Sequence, residues 1–402
     1  MSNPIDLYCG EFTTSPVPLE VSLNYCSHSC HYCFANLNNP TRTSDMPGIM
    51  RQLARVPDGA SLQTILMRAG CPVLVSNRVD PFALSNYQQA VPMLETMTEM
   101  GIPFAIQTRG GRGIDDVLKF APPSVWYVSI AHTDDADRKR VEPGAPPLEE
   151  RYELIQKLKA HGHRVVLGLN PLVREWVPDP DVVLARAKEC GAEGVWVEAL
   201  HFSHRQTTRM GDKGQEAITL PVIGRAMKKN ASPDDLAHYT NARRSAVDMG
   251  LEVMSVGQSC RSDFWRPFQE TYETTFPVMQ DFLNACWDTL GEGDVIDFDT
   301  FAEFFVPLLP EGEWPIDCYI GAKARDLFRD HKIPTKMTYE QLLAVIWSEP
   351  RLGFSPSRLR CFAYAGEKTP EGWLKIVDDR GLPFLVFTRE ECGTDEYYTE
   401  VN

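Results

Sequence analysis

Short apolar runs alternate with amphipathic stretches through the first half of the chain, at a period of about 30 residues. Residues 19–23 alternate and are β-branched, which predicts a first strand. Residues 72–76, 104–107, 125–130, 164–169 and 194–199 read as five more, mostly apolar on both faces as buried parallel strands are. Between them, 87–100, 148–161 and 181–190 carry helical spacing. Gly101 and Gly162 close the first two helices, as a glycine past the last turn does. Six β-α units argue for a parallel sheet. They fall two short of a closed eight-fold barrel, so the predicted fold class is α/β, an open partial (β/α)6 barrel. Residues 1–18 read as an irregular N-terminal extension, and 201–217 as a polar, partly basic loop over the barrel top.

The pattern changes after Cys260. Helices are predicted near 278–290 and 298–305, and Thr338 with Gln341 resembles a capping box opening another. Residues 359–364, 373–377 and 382–387 alternate in strand fashion. The expected organisation is therefore an extension over 1–18, a partial barrel over 19–260 and a C-terminal α+β domain over 261–402, acting as a substrate clamp or cap. Charge divides similarly. The net charge is −15, and residues 261–402 hold 26 acidic against 14 basic side chains, or −12; the first 260 are nearly balanced at −3. This opposes tight non-specific duplex binding, which relies on Lys and Arg at phosphates. A nucleic-acid face, if present, belongs to the N-terminal part.

No apolar run approaches the ~18 residues of a membrane span, and the first residues lack a signal peptide's basic and apolar regions. The expectation is a cytoplasmic protein with no membrane partner. Eleven cysteines, an odd number in a long chain, fit a reducing compartment better than a disulfide framework. Cys260, Cys286, Cys318, Cys361 and Cys392 are widely spread and read as buried thiols.

Three other cysteines carry chemistry. Cys26, Cys30 and Cys33 are spaced C-x3-C-x2-C just past the first strand, where parallel barrels place their active sites. Three local thiolates can wrap one compact metal centre. A [4Fe–4S] cube normally takes four cysteines, so three leave one iron open. A closed zinc site wants a fourth ligand and finds no partner CxxC pair here; a three-ligand zinc using His28 or His31 stays as the alternative.

The motif resembles the signature of the radical S-adenosylmethionine (SAM) superfamily, C-x3-C-x-aromatic-C, with Tyr32 as the aromatic residue. That resemblance implies a [4Fe–4S] cluster whose open iron chelates SAM, reductive cleavage to a 5′-deoxyadenosyl radical, and hydrogen abstraction from substrate. Three further runs over about 19–256 are similar to the spore photoproduct lyase-like branch: 75–82 (Val-Ser-Asn-Arg-Val-Asp-Pro-Phe), 107–109 (Gln-Thr-Arg) with Asp115-Asp116, and 128–130 with 142–146 (Glu-Pro-Gly-Ala-Pro) and Arg151. By that resemblance Arg109 would meet the SAM carboxylate, where the branch usually has Lys. Ser76, Asn77, Asp80 and Ser129 would accept from the SAM ammonium and ribose, and Tyr32 would lie near the adenine. Plainer roles stand beside these: Asp80 shaping a turn before Pro81, Ser129 ending a strand, Glu142 pairing with Arg151. The branch's cysteine hydrogen donor matches Ser76 here, which weakens spore photoproduct repair as the reaction.

His201, His204 and Arg205 are candidates for substrate phosphate or proton relay, with Arg209 and Lys213 beside them; a solvated basic loop is the alternative. With no second cysteine cluster, a redox-neutral rearrangement or isomerisation is expected. The expected substrate is a nucleobase, such as a thymidine-derived or hypermodified pyrimidine in DNA or as nucleoside. A reductant such as flavodoxin or ferredoxin is implied. The competing readings are a radical SAM enzyme for a peptide or small metabolite, and a non-catalytic iron–sulfur or zinc binding protein.

Overall fold

The computed structural model describes residues 4–7, 17–23, 25–37, 45–75, 78–212, 218–226, 232–254, 266–272, 277–305, 311–316, 319, 328, 330, 333–350, 352, 355–373 and 376–390. Eight strands form its main sheet in sequence order: β1 (Asp6–Leu7), β2 (Leu19–Val21), β3 (Val73–Val75), β4 (Phe104–Thr108), β5 (Val125–Ser129), β6 (Arg164–Leu172), β7 (Gly194–Ala199) and β8 (Glu252–Met254). All neighbours from β2 to β8 pair in parallel; β1 is antiparallel on β2. The order runs from β1 to β8 without closing, so the sheet is an open, partial barrel. The six expected strands correspond to β2–β7, and β8 adds a seventh parallel member.

Two segments differ from the sequence reading. The lead-in contributes β1, anchored by buried Ile5 and Leu7. Two residues are too short to show a period. The segment 201–217 is helical over α9, not a loop. In chain order the helices of this half are α1 (Phe34–Leu37), α2 (Met46–Leu53), α3 (Leu62–Arg68), α4 (Tyr87–Glu99), α5 (Ile114–Val117), α6 (Asp135–Val141), α7 (Leu148–Ala160), α8 (Pro180–Glu189), α9 (His204–Asp212), α10 (Leu220–Ala226) and α11 (Pro233–Asp248). Ser203 Oγ accepts from the Gln206 N–H while Gln206 Oε1 accepts from the Ser203 N–H, a reciprocal cap that starts α9. Phe202, Gln206 and Met210 are buried at i, i+4 spacing.

The two faces of the sheet are buried differently. Val73, Val75, Phe104, Ile106, Trp126, Val128, Val165, Leu167 and Val195 join the large core under the helices. The intervening residues point inward. Leu74, Ala105, Val125, Tyr127 and Val166 form a second core at the N-terminal end of the barrel interior. Phe268 and Tyr272, at α12 (Arg266–Thr271), plug that end. The Tyr272 hydroxyl donates to Phe104 O at 2.7 Å and accepts from the Val125 N–H at 2.8 Å. It satisfies two buried backbone groups that no strand reaches.

Further along lie α13 (Met279–Thr289), β9 (Val295–Ile296), α14 (Phe298–Phe305), β10 (Trp314–Pro315), β11 (Lys336–Met337), α15 (Tyr339–Ser348), β12 (Phe362–Tyr364) and β13 (Leu385–Phe387). Strands β12, β13 and β9 form one small antiparallel sheet, and β10 and β11 another. The Thr338–Gln341 capping box is present at α15. Of the expected strand over 373–377, residues 374 and 375 lie outside the described residues, and Val377 makes an isolated bridge to Pro383. No described helix is long and apolar enough to cross a membrane.

Replacing Tyr272 with Phe keeps the ring and strands both backbone groups. We expect a loss of about 1–3 kcal/mol in urea unfolding, with no change in the denaturant slope.

Candidate functional site

The cysteine loop leaves the C-terminal end of β2 and is held by three neighbours. The first is the turn between β3 and α4. Ser85 Oγ donates to Tyr25 O (2.8 Å) and accepts from the Ser27 N–H (3.1 Å), while Ser27 Oγ accepts from the Ser85 N–H (3.2 Å). The second is Asp80 in that turn. Its Oδ1 accepts from the Phe82 N–H and from Thr108 Oγ1, both at 2.9 Å, and its Oδ2 accepts from the Arg109 N–H at 2.6 Å. His28 Nε2 lies 3.1 Å from the same Oδ2, though off the hydrogen-bond axis. Burial pushes the Asp80 carboxyl up, but His28 and the two backbone N–H donors outweigh it and hold it below its ordinary value.

The third neighbour is the segment after α6. The His31 N–H donates to Val141 O at 2.9 Å and the Gly144 N–H to His28 O at 3.0 Å. His28 Nδ1 is 3.0 Å from Gly144 O, so that nitrogen carries a proton. A Cβ on Gly144 would stand 2.3 Å from Ser27 O, so only glycine allows the two backbones to approach.

Behind the loop is a buried charge network. Glu142 is fully buried. Its Oε2 accepts from Arg151 Nη2 at 2.5 Å, and its Oε1 accepts from Arg109 Nε at 3.2 Å and from the Tyr32 hydroxyl. Arg109 Nη2 donates to that hydroxyl at 2.7 Å. Arg151, also fully buried, directs its other donors to Ser129 O and Pro146 O. Burial drives the Glu142 carboxyl up; Arg151 and then Arg109 reverse this and hold it well below the carboxylate range. His132, stacked 4.9 Å from Trp176, is kept neutral by burial, its pKa lowered to about 4.

The three thiols are electrostatic neighbours. Cys30 is buried; Cys26 and Cys33 are partly exposed. Burial, with Asp80 adding to it, pushes the Cys26 thiol up to about 12. Its sulfur accepts from the backbone N–H groups of His28 and Asp80. Burial likewise lifts Cys30, which faces the Arg109 cation. Metal ligation has to displace these thiol protons. Among the described residues no three His, Cys, Asp or Glu side chains converge on a single-ion position.

The structure thus brings Cys26, Cys30, Cys33, Tyr32, Asp80 and Arg109 together at the ends of β2, β3 and β4. Arg109 is committed to Glu142 and Tyr32 but stays 22% exposed, and its Nη1 has no partner among the described residues. Tyr32 is 7% exposed, its ring 5.6 Å from that of Trp176. Asp80 does shape the turn, through its bond from the Phe82 N–H, and also ties three loops. Ser129 ends β5, with Oγ donating to Asn170 O at 3.0 Å. Glu142 does pair with Arg151, and with Arg109 as well. Ser76 and Asn77 lie outside the described residues, as do Lys213, Cys260, Cys318 and Cys392. Cys286 and Cys361 are buried free thiols. His204 and Arg205 are exposed on α9, while His201 is half-buried after β7. Sequence reasoning weighed His28 only as a zinc ligand and met Gly144 only inside the 142–146 run; it passed over Asn170 and Glu198, to which the strand parity pointed.

No family model matches the chain. An uncharacterized protein, ORF301, of Acidianus two-tailed virus is 28% identical over 194 residues, covering 44% of this chain and 64% of the viral protein. The chain therefore spans less than two-thirds of that relative. Among solved structures, Streptococcus suis SuiB bound to S-adenosylmethionine aligns over 51% of this chain and 46% of its own, at 14% identity and a TM-score of 0.33. TYW1 with a lysine–pyruvate adduct aligns over 52% and 76%, at 14% identity and a TM-score of 0.34.

Replacing Glu142 with Gln leaves two guanidinium groups facing a neutral amide. We expect a loss of about 3–5 kcal/mol, the usual cost of breaking a buried pair from one side. Because the folded carboxyl titrates below its unfolded value near pH ~4.3, its contribution is complete above that pH and is lost as pH falls beneath it. Urea midpoints between pH 7 and pH 3 should therefore fall more steeply for the wild type than for Glu142→Gln.

Proposed function

We propose that this protein is a radical SAM enzyme acting at the C-terminal mouth of its partial barrel. One observation carries the reading: three neighbouring thiols share one braced loop at the end of the first parallel strand, with a guanidinium facing the middle one. That donor set fits a [4Fe–4S] cluster held by Cys26, Cys30 and Cys33 with one iron left open. The backbone N–H groups on the Cys26 sulfur are of the kind that tune such a centre. When bound, cluster and SAM supply a 5′-deoxyadenosyl radical that abstracts hydrogen from an unactivated C–H bond.

The protein's part is to hold and shield. Asp80, Ser85 and Gly144 fix the loop on which the thiols sit. Glu142 and Tyr32 aim Arg109, leaving its Nη1 for a carboxylate such as that of SAM. Ser129 stands on the inner face within reach of a ligand in the mouth. The apolar plug of Phe268 and Tyr272 closes the opposite end, which keeps bulk water from the interior. We read residues 19–260 as the barrel, floored by the segment that carries Phe268 and Tyr272, and the rest of 261–402 as a cap or clamp.

The substrate we propose is a nucleobase, thymidine-derived or hypermodified, undergoing redox-neutral isomerisation or lysis. The exposed Arg205 supports it as a cation at the rim, with the exposed His204 and the half-buried His201 beside it. A base in duplex DNA would have to leave the stack to enter. An acidic one-electron carrier such as flavodoxin or ferredoxin would serve as reductant, in the cytoplasm.

The test is anaerobic reconstitution with iron and sulfide, reduction with dithionite and assay of 5′-deoxyadenosine. The wild type should bind close to four irons and form deoxyadenosine, about the content of one cube. Cys26→Ala, Cys30→Ala and Cys33→Ala should each lose the visible cluster absorbance and the product. Turnover retained in any of them overturns the cluster assignment.

A further inference from the structure

The cysteine loop has an exposed face that the charge network behind it does not use. Tyr25 stands immediately before Cys26. Leu84 stands immediately before Ser85, whose hydroxyl donates to Tyr25 O at 2.8 Å. The two side chains are 61% and 62% exposed. Both are held in place. The Tyr25 hydroxyl lies 2.9 Å from Ser29 Oγ, which ties the ring to the turn between Cys26 and Cys30. Leu84 belongs to the turn that Asp80 fixes through the Phe82 N–H. A single exposed apolar side chain is ordinary. Here two large ones stand on hydrogen-bonded neighbouring backbone, beside the partly exposed Cys26.

Cations flank them. The Arg112 N–H donates to Phe82 O at 3.0 Å, which sets Arg112 beside the Leu84 turn. On the other flank Val141 O accepts from the His31 N–H, which sets the end of α6, with Lys139, against the loop. Arg112 and Lys139 are exposed, and neither has an ion-pair partner among the described residues. The acids near them in sequence are already engaged: Asp115 by Lys157, Asp116 by Lys119 and Asp137 by Arg140. On a chain of net charge −15, an unpaired positive rim is an exception. An acidic protein is repelled by the chain as a whole and admitted at this face.

An apolar centre with a polar, charged rim is the form of a protein–protein contact. The thiols next to Tyr25 indicate what the partner carries. We propose that the Tyr25–Leu84 face, rimmed by Arg112 and Lys139, docks the acidic one-electron carrier that reduces the metal centre on the cysteine loop. This assignment rests on the radical SAM reading. A flavodoxin hydroquinone anion passes one electron to that centre and becomes the neutral semiquinone; no proton or other atom moves. Redox partners meet through small, transient interfaces, so two apolar anchors and a few rim charges suffice.

The experiment measures binding as well as turnover, with flavodoxin as the probe. The full chain, reconstituted anaerobically, is titrated calorimetrically with flavodoxin at low and at physiological ionic strength. Wild-type affinity should fall as salt rises. Leu84→Glu, and separately Arg112→Glu with Lys139→Glu, should each weaken binding by about tenfold. The charge-reversed pair should also lose most of the salt dependence. Deoxyadenosine formation driven by dithionite, which needs no docking, should be unchanged in these variants, while the flavodoxin-driven rate falls. Trp373→Glu, at an exposed apolar side chain in the acidic C-terminal part, should bind as the wild type does. No binding by the wild type, or wild-type affinity in the Leu84 and charge-reversed variants, overturns the proposal. So does an equal loss with dithionite, which would mean that the substitutions damage the cysteine loop itself. Failure of the wild type to form deoxyadenosine with dithionite, while flavodoxin still binds through Leu84 and the two cations, strikes the radical SAM reading and leaves the docking face standing.

Discussion

A carboxylate with no access to water sits between two guanidinium groups, and the candidate site is assembled around it. Transferring an isolated carboxylate into a protein interior costs several kcal/mol even after relaxation. Glu142 is tolerated there because Arg151, Arg109 and Tyr32 all donate to it. Those partners come from the ends of β4, the start of α7 and the cysteine loop. The bond set therefore fixes how three separate loops meet. An apolar cluster of equal volume would be as stable or more so, but it would not aim a guanidinium. Arg109 is held by two of its nitrogens and still reaches the mouth with the third.

The second constraint is the gradient of polarity inside the barrel. At the N-terminal end the interior is closed by Phe268 and Tyr272 over Leu74, Ala105 and Val125. Toward the other end the inward positions become Gln107, Ser129, Asn170 and Glu198. One strand parity thus supplies both a dry floor and a polar mouth. The floor carries the stability and the mouth is free to carry chemistry, a division parallel barrels share.

Much of this was legible in the chain. Strand β2 showed itself by alternation and β3–β7 because strands buried on both faces are mostly apolar, and glycines ended two of the helices between them. The three cysteines were legible by spacing alone. Helix α9 was missed although Ser203 and Gln206 spell the same capping box that was read correctly at Thr338 and Gln341; its polar composition outweighed the cap. Strand β1 was missed because two residues carry no period. The Arg109–Glu142 contact spans 33 residues and the His28–Gly144 contact 116. Both depend on which loops the strand order makes adjacent, and no local pattern encodes that.

Across the mouth the two kinds of charge are kept apart. Arg109 follows β4 and Glu198 lies on β7, three strands away, or about 14 Å along a sheet whose strands are ~4.8 Å apart. A single small ligand could not engage both at once. The cation stands beside the thiols and the carboxylate stands on the far wall. That separation suits two ligands bound side by side: one bearing a carboxylate next to the cysteine loop, the other meeting the opposite strands. A chamber with mixed charges at every strand end would bind either ligand in either place. Segregating the cation from the carboxylate gives each ligand one favourable seat, and so fixes which of them lies nearer the cysteines.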